Sequence, residues 1–326
     1  MAEGSIAHHP SYEPGQPAFE PAQAQLLATF QAAQLAMTTG WPAIAQAAHA
    51  LDLDVLRREL AAGVAVDLLS MPGGQTPLQL NCHVTNETVV YRRGGTDEAF
   101  LAWAAQPAER RRVIDDGIDA DRLACVELLL AHGASPRPGG IFFPPLIDAV
   151  AQGSLALVNV LLDAGSDVSV LSTPPPLEFA CSPLSMAVIS HYHALRNGRP
   201  MGYDHIAIAD ALLKAGADAN PPEIKERSLM KWAIGGGHRR LWPVLLRGGA
   251  ILPPPGENPF NWPGASYNTE RADPYLQKID AAGSWAAHEK AHRAALQAIF
   301  APKFTHLVPP ELVARIVEYS FHLGFY

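Results

Sequence analysis

One phrase recurs five times along the chain and constrains its fold more than any other feature. It appears as LRRELAAGVAVD ending near Asp67, VELLLAHGAS near Ser135, VNVLLDAGSDV near Val168, ADALLKAGADAN near Asn220 and WPVLLRGGA near Ala250. The anchor glycines Gly63, Gly133, Gly165, Gly216 and Gly249 are separated by 70, 32, 51 and 33 residues. Such spacing describes a unit of about 33 residues, with extra chain in the second and fourth copies. Each phrase reads as the end of an amphipathic helix, with leucines facing a neighbour and glycine in the left-handed cap position, most cleanly at Leu161, Leu162 and Gly165.

A second signal precedes each phrase and starts a helix: Thr76-Pro77-Leu78, Pro144-Pro145-Leu146, Ser182-Pro183-Leu184 and Ser228-Leu229-Met230. A Thr or Ser hydroxyl caps free amides, and proline fits the first turn, where its missing N–H costs nothing. Small residues follow at a fixed offset, Ala47, Ala149, Ala187 and Ala233, where two helices must approach closely; Asn81 takes that place in the second copy. Pro243 falls inside the last second helix and predicts a shortened first turn.

With these residues in register, the chain resembles the ankyrin repeat family, whose units carry T-P-L-H-x-A, a G-H turn and a V-V-x-L-L-L-x-x-G-A-D helix end. The copy PPLIDAVAQGSLALVNVLLDAGSDV matches almost without gaps, and the last copy keeps the turn as Gly237-His238. The family histidine after T-P-L is replaced by Gln79, Ile147, Ser185 and Lys231. The resemblance covers residues 42–252 and implies an all-α ankyrin-repeat solenoid of about five helix-turn-helix repeats, with helical caps at both ends. Around it the expected organisation is a structureless segment 1–20, a capping helix within 21–41, a loop 253–273 and a helical segment 274–326.

Two insertions open the repeats between first and second helices, at residues 84–120 and 190–204. In the larger, Thr96-Asp97-Glu98 predicts a helix start leading into Phe100, Leu101 and Trp103, and Pro107 begins a further segment. The smaller carries His191, Tyr192, His193, Arg196, Arg199 and Tyr203, with His205 just beyond. His-x-His offers two nitrogens, but no nearby carboxylate or cysteine completes a tetrahedral set, so no metal is expected. Aromatics and arginines dominate interface energetics, which singles out Arg92, Arg93, Trp103, Tyr192, Arg199 and Tyr203 as partner-contact residues.

No phosphate loop, dinucleotide fingerprint, nucleophile elbow or kinase set is present, and Gly235-Gly236-Gly237 lacks the strand and Lys-Ser of a phosphate cradle. Neither a catalytic residue nor a cofactor is expected. A formal charge of −8 disfavours nucleic acid as a partner. Three separated cysteines, no apolar run of membrane length and no signal-peptide pattern at the start point to the cytoplasm or nucleus. By resemblance to the family, the function is non-catalytic binding of another protein through the concave face, loops and insertions. HLVPPELVARIVEYSF, with Leu312, Ile316 and Tyr319 on one face, also resembles the start of an F-box and the Leu-Pro stretch of a suppressor-of-cytokine-signalling box. That likeness implies the alternative of a substrate-recognition adaptor in a ubiquitin ligase; a structural subunit of a larger complex is the remaining reading.

Overall fold

The computed structural model describes most of residues 38–316 together with parts of 24–32. Residues 1–23, 33–37, 71–73, 138–142, 173–180, 197–204, 222–227, 255–270, 305–307 and 317–326, with a few single positions, lie outside the described set. The expectations for segment 1–20, for most of the loop 253–273 and for Arg199, Tyr203 and Tyr319 fall there, as does the side chain of Tyr192. The described residues are all-helical, with no strand and one isolated bridge between Ser172 and Cys181. The helices are α1 (Ala43–Ala50), α2 (Leu53–Ala61), α3 (Pro77–His83), α4 (Asn86–Gly94), α5 (Asp97–Ala104), α6 (Ala108–Ala131), α7 (Pro145–Gln152), α8 (Leu155–Asp163), α9 (Pro183–Arg196), α10 (His205–Lys214), α11 (Leu229–Gly235), α12 (Trp242–Arg247), α13 (Pro274–Ala282) and α14 (Trp285–Phe304). The chain divides into two compact units, one formed by residues 1–183 and 193–204, the other by 184–192 and 205–326.

All five anchor glycines adopt the left-handed conformation, with φ of 80°, 86°, 83°, 96° and 93° at Gly63, Gly133, Gly165, Gly216 and Gly249. Each donates its N–H to the carbonyl three residues back, and the next residue donates to the carbonyl five back, all at 2.9 to 3.1 Å. This is the Schellman end, which satisfies two carbonyls that the helix itself leaves open. The short turns between paired helices repeat it. Leu51, Gly153 and Gly237 have φ of 54°, 76° and 69°. Behind them Asp52, Ser154 and His238 donate to the carbonyls of Ala47, Ala149 and Ala233 at 2.9, 3.2 and 2.8 Å. Leu51 accepts a conformation that costs a side-chain-bearing residue roughly 1–2 kcal/mol, offset by burial of its side chain to 3% exposure.

Packing in the first unit follows two rows. The first helices α1, α3 and α7 stack on one another in order, the second helices α2, α6 and α8 do the same, and each pair is closed by α1 on α2, α3 on α6 and α7 on α8. The first-helix row can approach closely because Ala47 and Ala149 are buried at the contact, and Asn81 stands in the same register with its amide donating to the Ala48 carbonyl at 3.3 Å. Asn81 therefore bonds to the neighbouring helix end where alanine only packs. Thr76 and Gln79 form a reciprocal capping box at the start of α3.

The larger insertion enters where α3 ends in extended backbone at Val84 instead of a left-handed turn. Thr96 caps α5 by accepting from the Ala99 N–H at 3.2 Å. After Pro107 the chain runs as the unbroken 24-residue α6, so insertion and second helix are one element. Tyr91, Phe100, Trp103 and Ala104 form a separate apolar cluster with Ala24, Leu27 and Ala28. The described part of the N-terminal helix thus packs on the insertion.

In the second unit, α12 packs on α10 and α11, α14 packs on α12, and α13 packs on α14. Pro243 lies in the first turn of α12, which is only six residues long. The Trp242 indole donates to the Ala233 carbonyl at 3.0 Å, which also accepts the His238 N–H. Within the helical segment expected from residue 274, Gly283 (φ 78°) separates α13 from α14.

Two glycine substitutions separate cap geometry from intrinsic propensity. Gly165→Ala meets no steric neighbour but sits at φ 83°, and should cost about 1–2 kcal/mol in urea unfolding of the full chain. Gly117→Ala, exposed within α6 and with open space around it, should stabilise by about 0.5–1 kcal/mol.

Candidate functional site

Two of the loops that follow second helices share one construction. After α2, Ser70 donates its N–H to the Gln75 carbonyl at 2.8 Å, and its hydroxyl accepts the Gln75 N–H at 3.2 Å. After α8, Ser172 makes the same two bonds to Cys181, at 2.9 and 3.0 Å. Ser70 and Ser172 each stand seven residues after an anchor glycine, and both are fully buried. Adjacent loops are also stitched together. Asp67, four residues after Gly63, accepts the Ser135 N–H on both carboxylate oxygens at 3.2 Å. In the second unit Asn220, four residues after Gly216, accepts the Ile251 N–H at 2.8 Å and donates to the Gly249 carbonyl at 2.9 Å.

A backbone held this firmly presents side chains to solvent at fixed places. Leu69 and Leu171, each six residues after its glycine, are 43% and 41% exposed beside the buried serines, and Leu68 is 40% exposed. These leucines are large apolar groups exposed on the loop edge of the first unit. They were legible in the repeat register, but a search for arginines and aromatics passes over them.

The residues singled out from sequence sit differently. The expectation that Trp103 is exposed does not hold: it is 4% exposed, with its ring centroid 5.3 Å from that of Phe100 inside the insertion's own cluster. Arg92 is half-buried and donates to the Thr38 hydroxyl. Arg93 pairs with Asp121 on α6 at 2.7 Å and reaches the Leu51 carbonyl at 3.4 Å, so it fixes α4 to the left-handed end of α1. Arg122, unremarked in sequence, is 2% exposed and donates to the Val84 carbonyl at 3.0 Å and Asn86 Oδ1 at 2.7 Å, with Asp119 as its ion-pair partner. It joins the start of the insertion to α6.

Ionisable groups elsewhere in the first unit serve packing. His83 on α3 and Asp148 on α7 pair at 3.3 Å. The carboxylate raises the His83 pKa above its ordinary value. Beside them the Gln152 amide donates to the Cys82 carbonyl. His49, edge-on to Trp41, is pushed down to about 3 by burial and then by the positive charge of Arg92 and by His83. Burial drives the Cys82 thiol far up and the Cys125 thiol up to about 12, so both are protonated at neutral pH. Among the described residues no group of three His, Cys, Asp or Glu is placed to hold a metal, and no helix is long and apolar enough to cross a membrane.

No family model matches the chain, and no curated protein matches it.

Two measurements check these assignments. Arg122→Leu should destabilise the full chain by about 2–4 kcal/mol, because it strands buried acceptors at Val84 and Asn86, with the loss of amide protection concentrated in α4. The stabilisation from the His83–Asp148 pair is fully present below the ordinary histidine pKa and lost as pH rises through the raised folded value. Asp148→Asn should therefore bring the His83 titration, followed by NMR, down and flatten that part of the pH profile.

Proposed function

We propose that the chain is an ankyrin-type repeat protein whose role is non-catalytic recognition of another protein, in the cytoplasm or nucleus. The observation that carries this reading is the repeated loop: five left-handed glycine ends in register, with a serine closure repeated at Ser70 and Ser172 and a stitch between neighbouring loops repeated at Asp67 and Asn220. A scaffold that rigidifies its loops and leaves Leu68, Leu69 and Leu171 in solvent suits recognition, since little ordering entropy remains to be lost on binding. Cys82 and Cys125 are buried and protonated, and the His83 imidazole is paired with Asp148 across two packed helices.

The partner-contact set shifts accordingly. The exposed loop leucines take the place of Trp103 and Arg92, while Arg93, half-exposed beside Asp121, retains a rim position. Tyr192, Arg199 and Tyr203 stay within the proposal as residues of the second insertion.

A second reading has its own observation. Leu312 and Ile316, one helical turn apart, are 44% and 41% exposed, while Val313 between them is 2% exposed. An apolar face turned to solvent beside an anchored residue is what a helix recruiting a ubiquitin-ligase complex would present.

Paired substitutions distinguish the two. Leu69→Asp with Leu171→Asp should leave stability within about 0.5 kcal/mol and reduce recovery of the main co-purifying protein by about tenfold, a 1.4 kcal/mol loss. Unchanged recovery with the fold intact rejects the loop edge as the binding surface. Leu312→Asp with Ile316→Asp should remove cullin-complex components alone if the adaptor reading holds, and change nothing if the helix only closes the fold.

A further inference from the structure

Two histidines stand one helical turn apart on α14, in the order His288-Glu289-Lys290-Ala291-His292. Four residues advance a helix by about 6 Å and return to nearly the same face. The two imidazoles accordingly lie side by side, with centroids 6.2 Å apart and planes inclined by 26°. Both residues are partly buried. Neither ring makes a hydrogen bond among the described residues, and Nε2 of His292 is shut away from solvent with no partner. A buried ring nitrogen left open costs free energy that a bond to a ligand recovers.

The neighbouring helix orients the pair. Helices α13 and α14 pack on each other, and Tyr275 of α13 lies edge-on to His288 with centroids 5.9 Å apart. The Tyr275 phenol oxygen accepts the Trp285 indole N–H at 3.2 Å, which fixes the aromatic wall beside His288. The charged groups around the rings are Lys278 on α13 and Glu289 and Arg293 on α14. Glu289 accepts from Arg293, and its negative charge reaches Tyr275. Burial first, then His292 and Lys278, hold the His288 pKa below its ordinary value, so at neutral pH its lone pair is available to a ligand.

We propose that His288 and His292 form a two-histidine site for a borderline divalent ion such as Zn²⁺, Ni²⁺ or Cu²⁺, with water in the remaining positions. Imidazole nitrogens favour these ions over Mg²⁺ and Ca²⁺, which take oxygen ligands. With metal–nitrogen bonds of about 2.0–2.1 Å, two rings on one tetrahedral ion have centroids roughly 5 Å apart. The observed 6.2 Å closes to that by a modest rotation of the two side chains. No third His, Cys, Asp or Glu converges on the pair among the described residues, so the ion keeps open positions. The same His-Glu-x-x-His order occurs in hydrolytic zinc sites, where the glutamate is the general base. Here Glu289 is engaged by Arg293, and the site is one for binding. An ion held four residues apart fastens the first half of α14 and stabilises the folded chain, because the unfolded chain presents no such pair.

Zinc chloride titrated near neutral pH into the full chain, free of any histidine tag and followed by NMR of the histidine rings, tests this. The His288 and His292 signals should move together along one binding curve, and magnesium chloride should move neither. The double variant Lys290→His with His292→Ala keeps the number of histidines but sets them two residues apart, on different faces. It should weaken zinc binding at His288 at least about tenfold and lose the zinc-dependent rise in Tm. Wild-type rings that move independently, or stay still up to about millimolar zinc, overturn the site, as does undiminished affinity in the variant. If the variant does not fold, the wild-type ring titration decides alone.

Discussion

The architecture depends on one local event, the reversal of the chain at a left-handed helix end. A helix of eight or nine residues is too short to persist alone, so each pair must return on itself within two or three residues to bury its apolar stripe. Gly63, Gly133, Gly165, Gly216 and Gly249 end the second helices with a common pair of hydrogen bonds. The same geometry at Leu51, Gly153 and Gly237 returns the first helix of a pair toward the second. Because the turn consumes the end carbonyls, the following loop is fixed by bonds of its own, as at Ser70 and Ser172, where one backbone and one hydroxyl bond close it.

Where the short turn is absent the molecule needs a different fastening. At Val84 the backbone leaves α3 extended, and no left-handed turn directs it toward α6. Arg122 supplies the constraint by gripping Val84 and Asn86 from the side of α6, and Arg93 adds a second hold between α4, α1 and Asp121. The aromatic cluster of Tyr91, Phe100 and Trp103 then covers the inserted helices with apolar residues from the N-terminal segment. The insertion behaves as an integral layer, and its arginines are structural cations before they are contacts.

This explains which parts of the molecule could be read in the sequence. Glycine at a helix end, serine or threonine at a helix start and alanine at a close crossing are local requirements, and each of Gly165, Thr76 and Ala149 meets its requirement within a few residues of chain. The helix start at Thr96 and the short α12 after Pro243 are of the same kind. Burial of Trp103 and engagement of Arg92 and Arg93 depend on residues 28 to 79 positions away, such as Asp121, Thr38 and Leu27. A composition rule for interfaces cannot see them. The exposed Leu69 and Leu171 were visible only once the glycine register was extended past the helix end, where the pattern becomes one of hydrogen bonds and loses its hydrophobic period.

The histidines extend the same logic to charge. A carboxylate facing His83 favours its cationic form, so this contact weakens as pH rises. Burial disfavours the cation at His49 and His238, so those environments weaken as pH falls. The opposite sign at His83 comes from Asp148 on the facing helix. Each ring is a packing element whose neighbour determines which side of neutrality it tolerates, and the fold is consequently favoured between the two limits.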